Sequence, residues 1–598
     1  PDAFTVEAID PDRVEARISA IEAVRPNREI PVTVDYANPG NTDVIAPYMV
    51  ISAANAILRW ADREGYSGDA IQALGINPDG PAGILPPGAS GRLSFVAWPK
   101  TVGLGQTSDF ELLLVGNPNT PLDWSAAKAS LKPPQTDPAA WEVIWARFVA
   151  GVTTGGSTIG AYQEALARNA TTLSQFGEAS ADADRLMQFE LAKAGNFGAI
   201  EERYALGAFG RGWPDLTAIT AVTQTNGNVL IRYGALSRLF ERQPDGSYLA
   251  TTGDLGALSV VSGVFELREG DGTRERFRAD GRLDYTEDAN GYRITVAYSE
   301  TRVSGYADTR GESAAYIWNV HGRISQMTDA AGRVTTFGYD SDGDHLVSIS
   351  SPRGSYAFSY VTGQGAVREH AVASVTYPDG LVMRMTYDAD GRLAVEGVAQ
   401  SPVGAMAEAI TYTWASANEM STLNAAGARS TWTALDHGGL AQVIDPFGAR
   451  ARIRFDANGN PIEATGPDNA RTRLAWDARG NPAGITDPLG RALGLSVEDA
   501  WNELTALRDP RGALTTLEQD GRGNLTAIGR ADGSRTELTL DTRGLVTATT
   551  NRRGRTTRYD YDSLGALVRR VSPDGSQVTY AWDARRNLTQ TVQISGTT

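Results

Sequence analysis

Acidic side chains are the first candidates for chemistry, because they recur with fixed neighbours. An aspartate stands three residues ahead of a glycine at Asp456 and Gly459, Asp477 and Gly480, Asp541 and Gly544, and Asp562 and Gly565. Paired carboxylates can serve as general acid and base. The same spacing has a simpler use: the carboxylate accepts turn amides two residues on, and glycine supplies the positive-φ position. Recurrence along the chain favours the turn, so these eight residues read as structural. Asp340-Ser-Asp-Gly-Asp344 sets Asp340, Asp342 and Asp344 at alternate positions. Alternating carboxylates suit a hard cation, which makes this loop the metal candidate and calcium the one cofactor to consider. Yet Tyr339-Asp340 with Gly343 also fits the turn spacing, and no Glu stands at the twelfth position of such a loop.

Other catalytic groupings are missing from the sequence. The histidines are His321, His345, His370 and His437; none forms an HExxH motif, and each is expected at the surface or in a turn. There is no cysteine, which removes thiol nucleophiles, disulfides and zinc–cysteine sites. Gly155-Gly-Ser-Thr-Ile-Gly160 lacks both the strand–elbow–helix setting of a nucleophilic serine and the Lys of a phosphate loop. The chain therefore reads as non-enzymatic. Trp318, Trp414, Trp432, Trp476, Trp501 and Trp582 could stack on sugars, but they recur at strand positions, where inter-strand packing is the simpler reading.

Charge narrows the partners. Asp and Glu number 71 against 55 Lys and Arg, a formal net charge of -16. The arginines are scattered through the repeats rather than gathered in one run. This balance argues against nucleic acid, whose phosphates need clustered basic groups. No run of about 18 apolar residues occurs, so no transmembrane helix and no membrane insertion by this segment is expected. Pro1 stands at the start and no basic-then-apolar signal precedes it, so the sequence reads as a fragment.

The elements that position these residues change along the chain. Residues 1–130 read as β, with Ile30-Pro-Val-Thr-Val-Asp-Tyr36, Leu93-Ser-Phe-Val-Ala-Trp98 and Phe110-Glu-Leu-Leu-Leu-Val115 between Gly, Pro and Asn turns. That pattern predicts a small Ig-like β-sandwich. Residues 131–203 read as a helical connector or plug. Asp137 is placed to cap a helix that opens with Pro138, and two more helices are expected over 159–176 and 181–194. Residues 204–300 form a repeat-opening β region that starts at Phe209-Gly-Arg-Gly-Trp213, and residues 301–598 form the repeat itself.

Two turn series define that repeat. The acidic positions 456, 477, 498, 520, 541, 562 and 583 follow an apolar, aromatic or Gln residue and differ by 21, 21, 22, 21, 21 and 21. Positions 448, 469, 490, 512, 533, 554 and 575, Gly throughout except for Asn469, show the same spacing and the same insertion. Each unit is thus strand, turn, strand, turn. One hairpin cannot bury its apolar face, so neighbours must pair into a growing sheet. A β-propeller would repeat at about 40 to 45 residues. Similarity at 21 rather than twice that argues against a propeller.

The unit Tyr387-Asp-Ala-Asp-Gly-Arg-Leu393 and the unit Tyr561-Asp-Ser-Leu-Gly-Ala-Leu567 resemble the YD repeat of the Rhs/YD-repeat superfamily. Phe209-Gly-Arg-Gly-Trp213 is similar to the segment that opens the repeat region in many members. The resemblance covers residues 204–598. It implies a mainly β fold in which antiparallel hairpins spiral into a hollow shell, behind the N-terminal sandwich and the helical connector. It also implies a bacterial protein, secreted or at the cell surface. Such shells enclose a C-terminal toxin in polymorphic toxins and insecticidal toxin complexes, and in teneurins they act in adhesion. An encapsulated toxin or a secretion-apparatus partner is the implied partner. The sequence departs from the toxin pattern by stopping within the repeats, with no terminal core motif, aspartyl self-cleavage site or toxin domain. The alternative is a carbohydrate-binding or carbohydrate-cleaving surface module with a surface glycan as partner, which rests on the sandwich, the aromatic residues and the acidic turns.

Overall fold

The computed structural model describes residues 14–21, 28–63, 65–100, 107–115, 117–133, 136–195, 199–213, 215, 219–233, 236–243, 245–250, 254–416, 418–435, 439–456, 458–498, 502–583 and 586–596. Alternation in Ile30–Ala37 places Ile30, Val32, Val34 and Tyr36 in a core and their neighbours outward. This strand lies in a sheet ordered Glu15–Ala20, Ile30–Ala37, Ser90–Pro99, Ala56–Trp60. A second sheet is ordered Ala70–Leu74, Tyr48–Ala54, Asp109–Leu114. Val34, Leu58 and Phe95 from the first and Ile51 and Ile71 from the second share one core, as a sandwich requires.

Among the described residues five helices follow: α1 (Trp124–Ser130), α2 (Pro138–Val152), α3 (Ile159–Ser174), α4 (Ala183–Ala194) and α5 (Ile200–Tyr204). Helix α1 begins ahead of the boundary expected at 131. Asp137 caps α2 by accepting from the amides of Ala139 at 2.8 Å and Ala140 at 3.3 Å, with Pro138 in the first turn. Trp141, Trp145 and Phe148 of α2, Leu166 and Leu173 of α3, and Leu186 and Phe189 of α4 form one core. Tyr48 and Leu74 of the sandwich and Leu435, Ala441 and Phe455 of the repeat region join that core. The helices are therefore a wedge between two β bodies.

From Ala257–Val261 to Leu588–Ile594 the chain forms one 32-stranded sheet in which every strand pairs antiparallel with the next. The wall thus starts well before residue 301, inside the expected opening region. The reason is local: turns such as Asp280-Gly281 and Asn290-Gly291 already carry the hairpin chemistry, with Gly281 at φ 81 and Gly291 at φ 80. A separate four-stranded sheet, Ile219–Thr223 to Tyr248–Ala250, precedes it.

The sheet winds back on itself. Asn290 and Asn524 exchange two side-chain hydrogen bonds at 2.8 and 2.7 Å although 234 residues separate them. Asn502 donates to the carbonyl of Gly270 at 2.5 Å across 232 residues. Early turns of the second series therefore meet late turns of the first series. First-series turns nearer the start are covered by N-terminal elements. Gly281 bonds Ala221, Asp344 pairs with Arg211 at 2.8 Å, Asp390 pairs with Arg147 at 3.2 Å, and the Phe455 amide donates to the Phe176 carbonyl at 2.7 Å. Second-series glycines such as Gly448, Gly490, Gly512, Gly533 and Gly554 face open space.

Gly177 fixes the docking of the wedge. Its φ is +94, and a Cβ there would lie 2.3 Å from the Phe455 carbonyl oxygen. Gly177→Ala is expected to cost about 2 kcal/mol or more from backbone strain alone. Faster proteolysis between α3 and α4, measured against the parent chain, checks this.

Candidate functional site

Each candidate turn aspartate is committed to its own turn. One carboxylate oxygen of Asp456 accepts the amides of Asn458 and Asn460, both at 2.9 Å. Asp477 does the same with Arg479 and Asn481 at 2.9 Å, Asp541 with Arg543 at 2.9 Å and Leu545 at 3.0 Å, and Asp562 with Leu564 at 3.0 Å and Ala566 at 2.8 Å. Gly459, Gly480, Gly544 and Gly565 stand at φ 77, 81, 77 and 84, the region L side chains avoid. Desolvation works to raise Asp477 and Asp541, but the hydrogen bonds donated in their turns outweigh it and hold both below the ordinary carboxylate range. At Asp487 the Arg491 amide acts first to the same end.

The aromatic residue ahead of the aspartate has a second task. Tyr561 donates its hydroxyl to the carbonyl of Val546 at 2.9 Å, fifteen residues back. Tyr339 reaches Ile324 at 2.6 Å, Trp318 reaches Val303 at 2.7 Å, Trp476 reaches Pro461 at 2.8 Å and Trp582 reaches Leu567 at 2.9 Å, all at the same separation. Even Gln519, which lacks a ring, uses its amide to reach Leu504 at 2.7 Å. Val546–Thr550 pairs with Thr556–Tyr561 only from Ala548 onward, so the Val546 carbonyl lies beyond the ladder, and the side chain closes that gap. The indole N–H groups of these tryptophans are thus bound into the wall. Trp414 likewise donates to Leu393 at 3.0 Å; Trp501 lies outside the described residues.

The structure sends the three calcium candidates to separate partners. Asp340 accepts the amides of Asp344 at 2.8 Å and His345 at 3.1 Å, and its other oxygen meets His345 Nδ1 at 2.6 Å. Asp344 pairs with Arg211, and Asp342 is exposed. Among the described residues no three His, Asp or Glu side chains are grouped to hold a metal ion. His345 closes the Asp340 turn, within the surface-or-turn expectation, yet it is buried, and its Nε2 lies 2.9 Å from His370 Nδ1. Burial comes first in lowering His370, with Arg211 and His345 adding to it. The two are 25 residues apart in sequence, so no short motif could reveal them. His321 sits under the turn at Gly343, and His437 lies outside the described residues. A cleft of about 700 Å³ between sandwich, α4 and the Asp456 turn holds Arg63 and Asp182, but these pair with each other at 2.6 Å.

The register of the wall sets its side chains on two unlike faces. Following the register, Leu474 pairs with Ile485, Ile485 with Leu493, Leu495 with Leu507, Leu517 with Ile528 and Leu538 with Thr549. The same face carries Ile453, which packs on the helical core, and Phe337 and Phe358, which meet Phe209 and Trp213 at 5.1 and 5.0 Å. The opposite face carries pairs such as Arg473 with Thr486, Ser496 with Ala506, Thr516 with Gly529 and Glu537 with Thr550. Period-two alternation in sequence signals two unlike faces, but not which one the N-terminal elements meet.

Two measurements check the wall. Tyr561→Phe removes one donor from a half-buried carbonyl and is expected to cost about 1 to 2 kcal/mol. Faster amide exchange in Val546–Thr550 and Thr556–Tyr561 reads it. The carboxylates of Asp477, Asp487 and Asp541 are held below their unfolded value of about 3.9. Their contribution is complete above that value and is lost as pH falls through the folded values. The melting temperature is therefore expected to stay level down to about pH 5 and to drop below about pH 4.

The RHS Repeat family matches residues 318–356, 455–492, 541–577 and 561–598. No curated protein matches the chain. Among solved structures, the crystal structure of TcdB2-TccC3-Cdc42 is similar at 12% identity, over 64% of this chain and 26% of that one, with a TM-score of 0.37. The Tc holotoxin pore of Photorhabdus luminescens is similar at 12% identity over 62% and 20%, with a TM-score of 0.32. TcdB2-TccC3 without its hypervariable C-terminal region is similar at 13% identity over 80% and 32%, with a TM-score of 0.31. The chain spans between a fifth and a third of the length of these structures. The family matches fall on hairpins of the wall, including those whose turns and aromatic donors repeat every 21 residues, so the chain carries RHS repeats over those residues.

Proposed function

We propose that this chain is a non-enzymatic structural wall that encloses a polypeptide cargo, of the toxin type, against its apolar face, in a bacterial protein that is secreted or displayed at the surface. The observation that carries this reading is the row Leu474, Ile485, Leu495, Leu507, Leu517, Ile528 and Leu538. It continues the face on which the helices and residues 209–213 pack, yet among the described residues none of these side chains joins a hydrophobic core. They stay half-exposed, with Ile485 at 37%. Fully burying one such side chain is worth about 1.5 to 3 kcal/mol relative to exposure, so an occupant with apolar side chains gains by lying there. An unfolded polypeptide suits a long, shallow row better than a small ligand does, since small ligands favour concave pockets.

The chain has no cysteine, so single labels are unambiguous. A photoreactive benzophenone is attached through Leu507→Cys on the apolar face or through Ala506→Cys on the opposite face. An unfolded, carboxymethylated test protein is then added. Position 507 is expected to crosslink and position 506 to stay silent. Equal crosslinking from both faces, or none from either, refutes the enclosure reading.

A further inference from the structure

We propose that the opposite, polar face carries a docking surface for an extended acidic polypeptide segment, built from Arg450, Arg452, Arg454, Arg471 and Arg473. In sequence these arginines form two short alternating runs within an acidic chain. Antiparallel pairing lays them side by side. Arg452 pairs with Thr465, which pairs with Arg471, and Arg454 pairs with Glu463, which pairs with Arg473. Arg450, Arg452 and Arg454 alternate along one strand, so all three project from the same face.

Among the described residues the charge of this cluster is not neutralised. Glu463 is the only carboxylate at a strand position of Arg450–Phe455, Pro461–Thr465 and Arg471–Trp476. It meets Arg473 at 3.3 Å and Arg471 at 3.9 Å. Arg452 donates to Gln442 at 3.1 Å. Arg450 and Arg454 are exposed and make no ion pair or side-chain hydrogen bond among the described residues. The side chains of Arg471 and Arg473 are 60% and 66% exposed. Five cations against one anion leave an excess of four positive charges on a chain whose formal net charge is -16. Elsewhere on this face several arginines meet carboxylates: Arg535 meets both Glu518 and Glu537, and Arg569 meets Asp560 at 2.5 Å.

Spacing selects the partner. Alternate residues of a strand repeat at roughly 6.6 Å. Carboxylates on one side of an extended peptide with alternating Asp or Glu repeat at the same distance, so successive guanidiniums meet successive carboxylates, each able to bind in a two-pronged fashion. No aromatic side chain stands among the five arginines on this face, so a base or a sugar ring has nothing to stack on.

The test uses the whole chain and four probes: a fluorescein-labelled alternating Glu-Ser peptide, a Lys-Ser peptide of equal length, heparin and a DNA duplex. Anisotropy is expected to show binding of the Glu-Ser peptide that weakens steeply with salt, and no binding of the Lys-Ser peptide. The triple change Arg450→Glu, Arg454→Glu and Arg473→Glu is expected to weaken binding at least about tenfold. Arg511→Glu, Arg530→Glu and Arg553→Glu together make the same charge change on exposed turns and are expected to leave binding within about twofold. Melting curves establish that each variant is folded, and the corresponding Gln triple replaces any that is not. Equal loss in both triples, no Glu-Ser binding at low salt, or binding of heparin or duplex in preference to the peptide overturns the proposal.

Discussion

A wall of this length depends on one small lock: a single carboxylate oxygen accepting two backbone amides at a reversal of the chain. In a hairpin that reverses within four residues, the amides two and four positions on have no strand to pair with. Asp456, Asp477, Asp541 and Asp562 take both, and the glycine three residues later accepts the left-handed backbone. The lock tolerates substitution of its parts so long as the chemistry survives. Asn551 accepts the amides of Arg553 and Arg555 through a side-chain carbonyl. Asn469 takes φ 61 in place of glycine, as its position in the second turn series implies. Because each lock is local, its failure frays one hairpin. Because the hairpins are paired in series, fraying exposes two new edges, which is costly for any sheet.

The two turn series are not equivalent, and their difference shapes the sheet. Hairpins closed by a first-series turn carry a register shift at the aromatic position, as between Ala475 and Trp476, Thr539 and Leu540, or Asp560 and Tyr561. From residue 440 on, second-series hairpins pair without one, as in Ala548 with Arg558 through Thr550 with Thr556. Such irregularities bend the strand and strengthen its twist. Placed repeatedly on one rim, they bias every unit in the same direction, and the sheet meets itself after 232 to 234 residues. The ring hydroxyl or indole then bridges the carbonyl left beyond each ladder. A side-chain donor at this position therefore serves the bend. Leu540 and Val497 show that single copies without a donor are tolerated within a series of neighbours that have one.

Legibility in the sequence follows from separation along the chain. The 21-residue period, the turn aspartates and the Asp137 cap depend on residues within about twenty positions of each other, and all are readable. The sandwich and the helices were readable for the same reason, through alternation at Ile30–Ala37 and helical spacing after Pro138. The contacts of Asn290 with Asn524, Arg147 with Asp390 and His345 with His370 obey no period, because they depend on how far the sheet bends per unit. The same limit hid the arginine cluster. Arg454 and Arg473 look scattered along the chain, yet each is a direct neighbour of Glu463 once the register is known.

The division of labour between the two faces follows from that register. In a sheet with strands of five or six residues, each strand offers only two or three side chains to a face, so no single hairpin can build a pocket. Function has to be spread along the wall. On one side, leucine and isoleucine repeat at paired positions and adhere to whatever apolar surface covers them, as the wedge of helices does at Ile453 and Phe455. On the other side, short hydroxyl side chains and arginine–carboxylate pairs keep the surface wetted and limit apolar patches that would drive aggregation. Arg535 bound by Glu518 and Glu537 illustrates the balanced state of that side. The cluster around Glu463 departs from this balance within three consecutive strands. Keeping five like charges close in an otherwise acidic chain costs self-repulsion that a solubilising surface does not require, and a partner of opposite charge would relieve it.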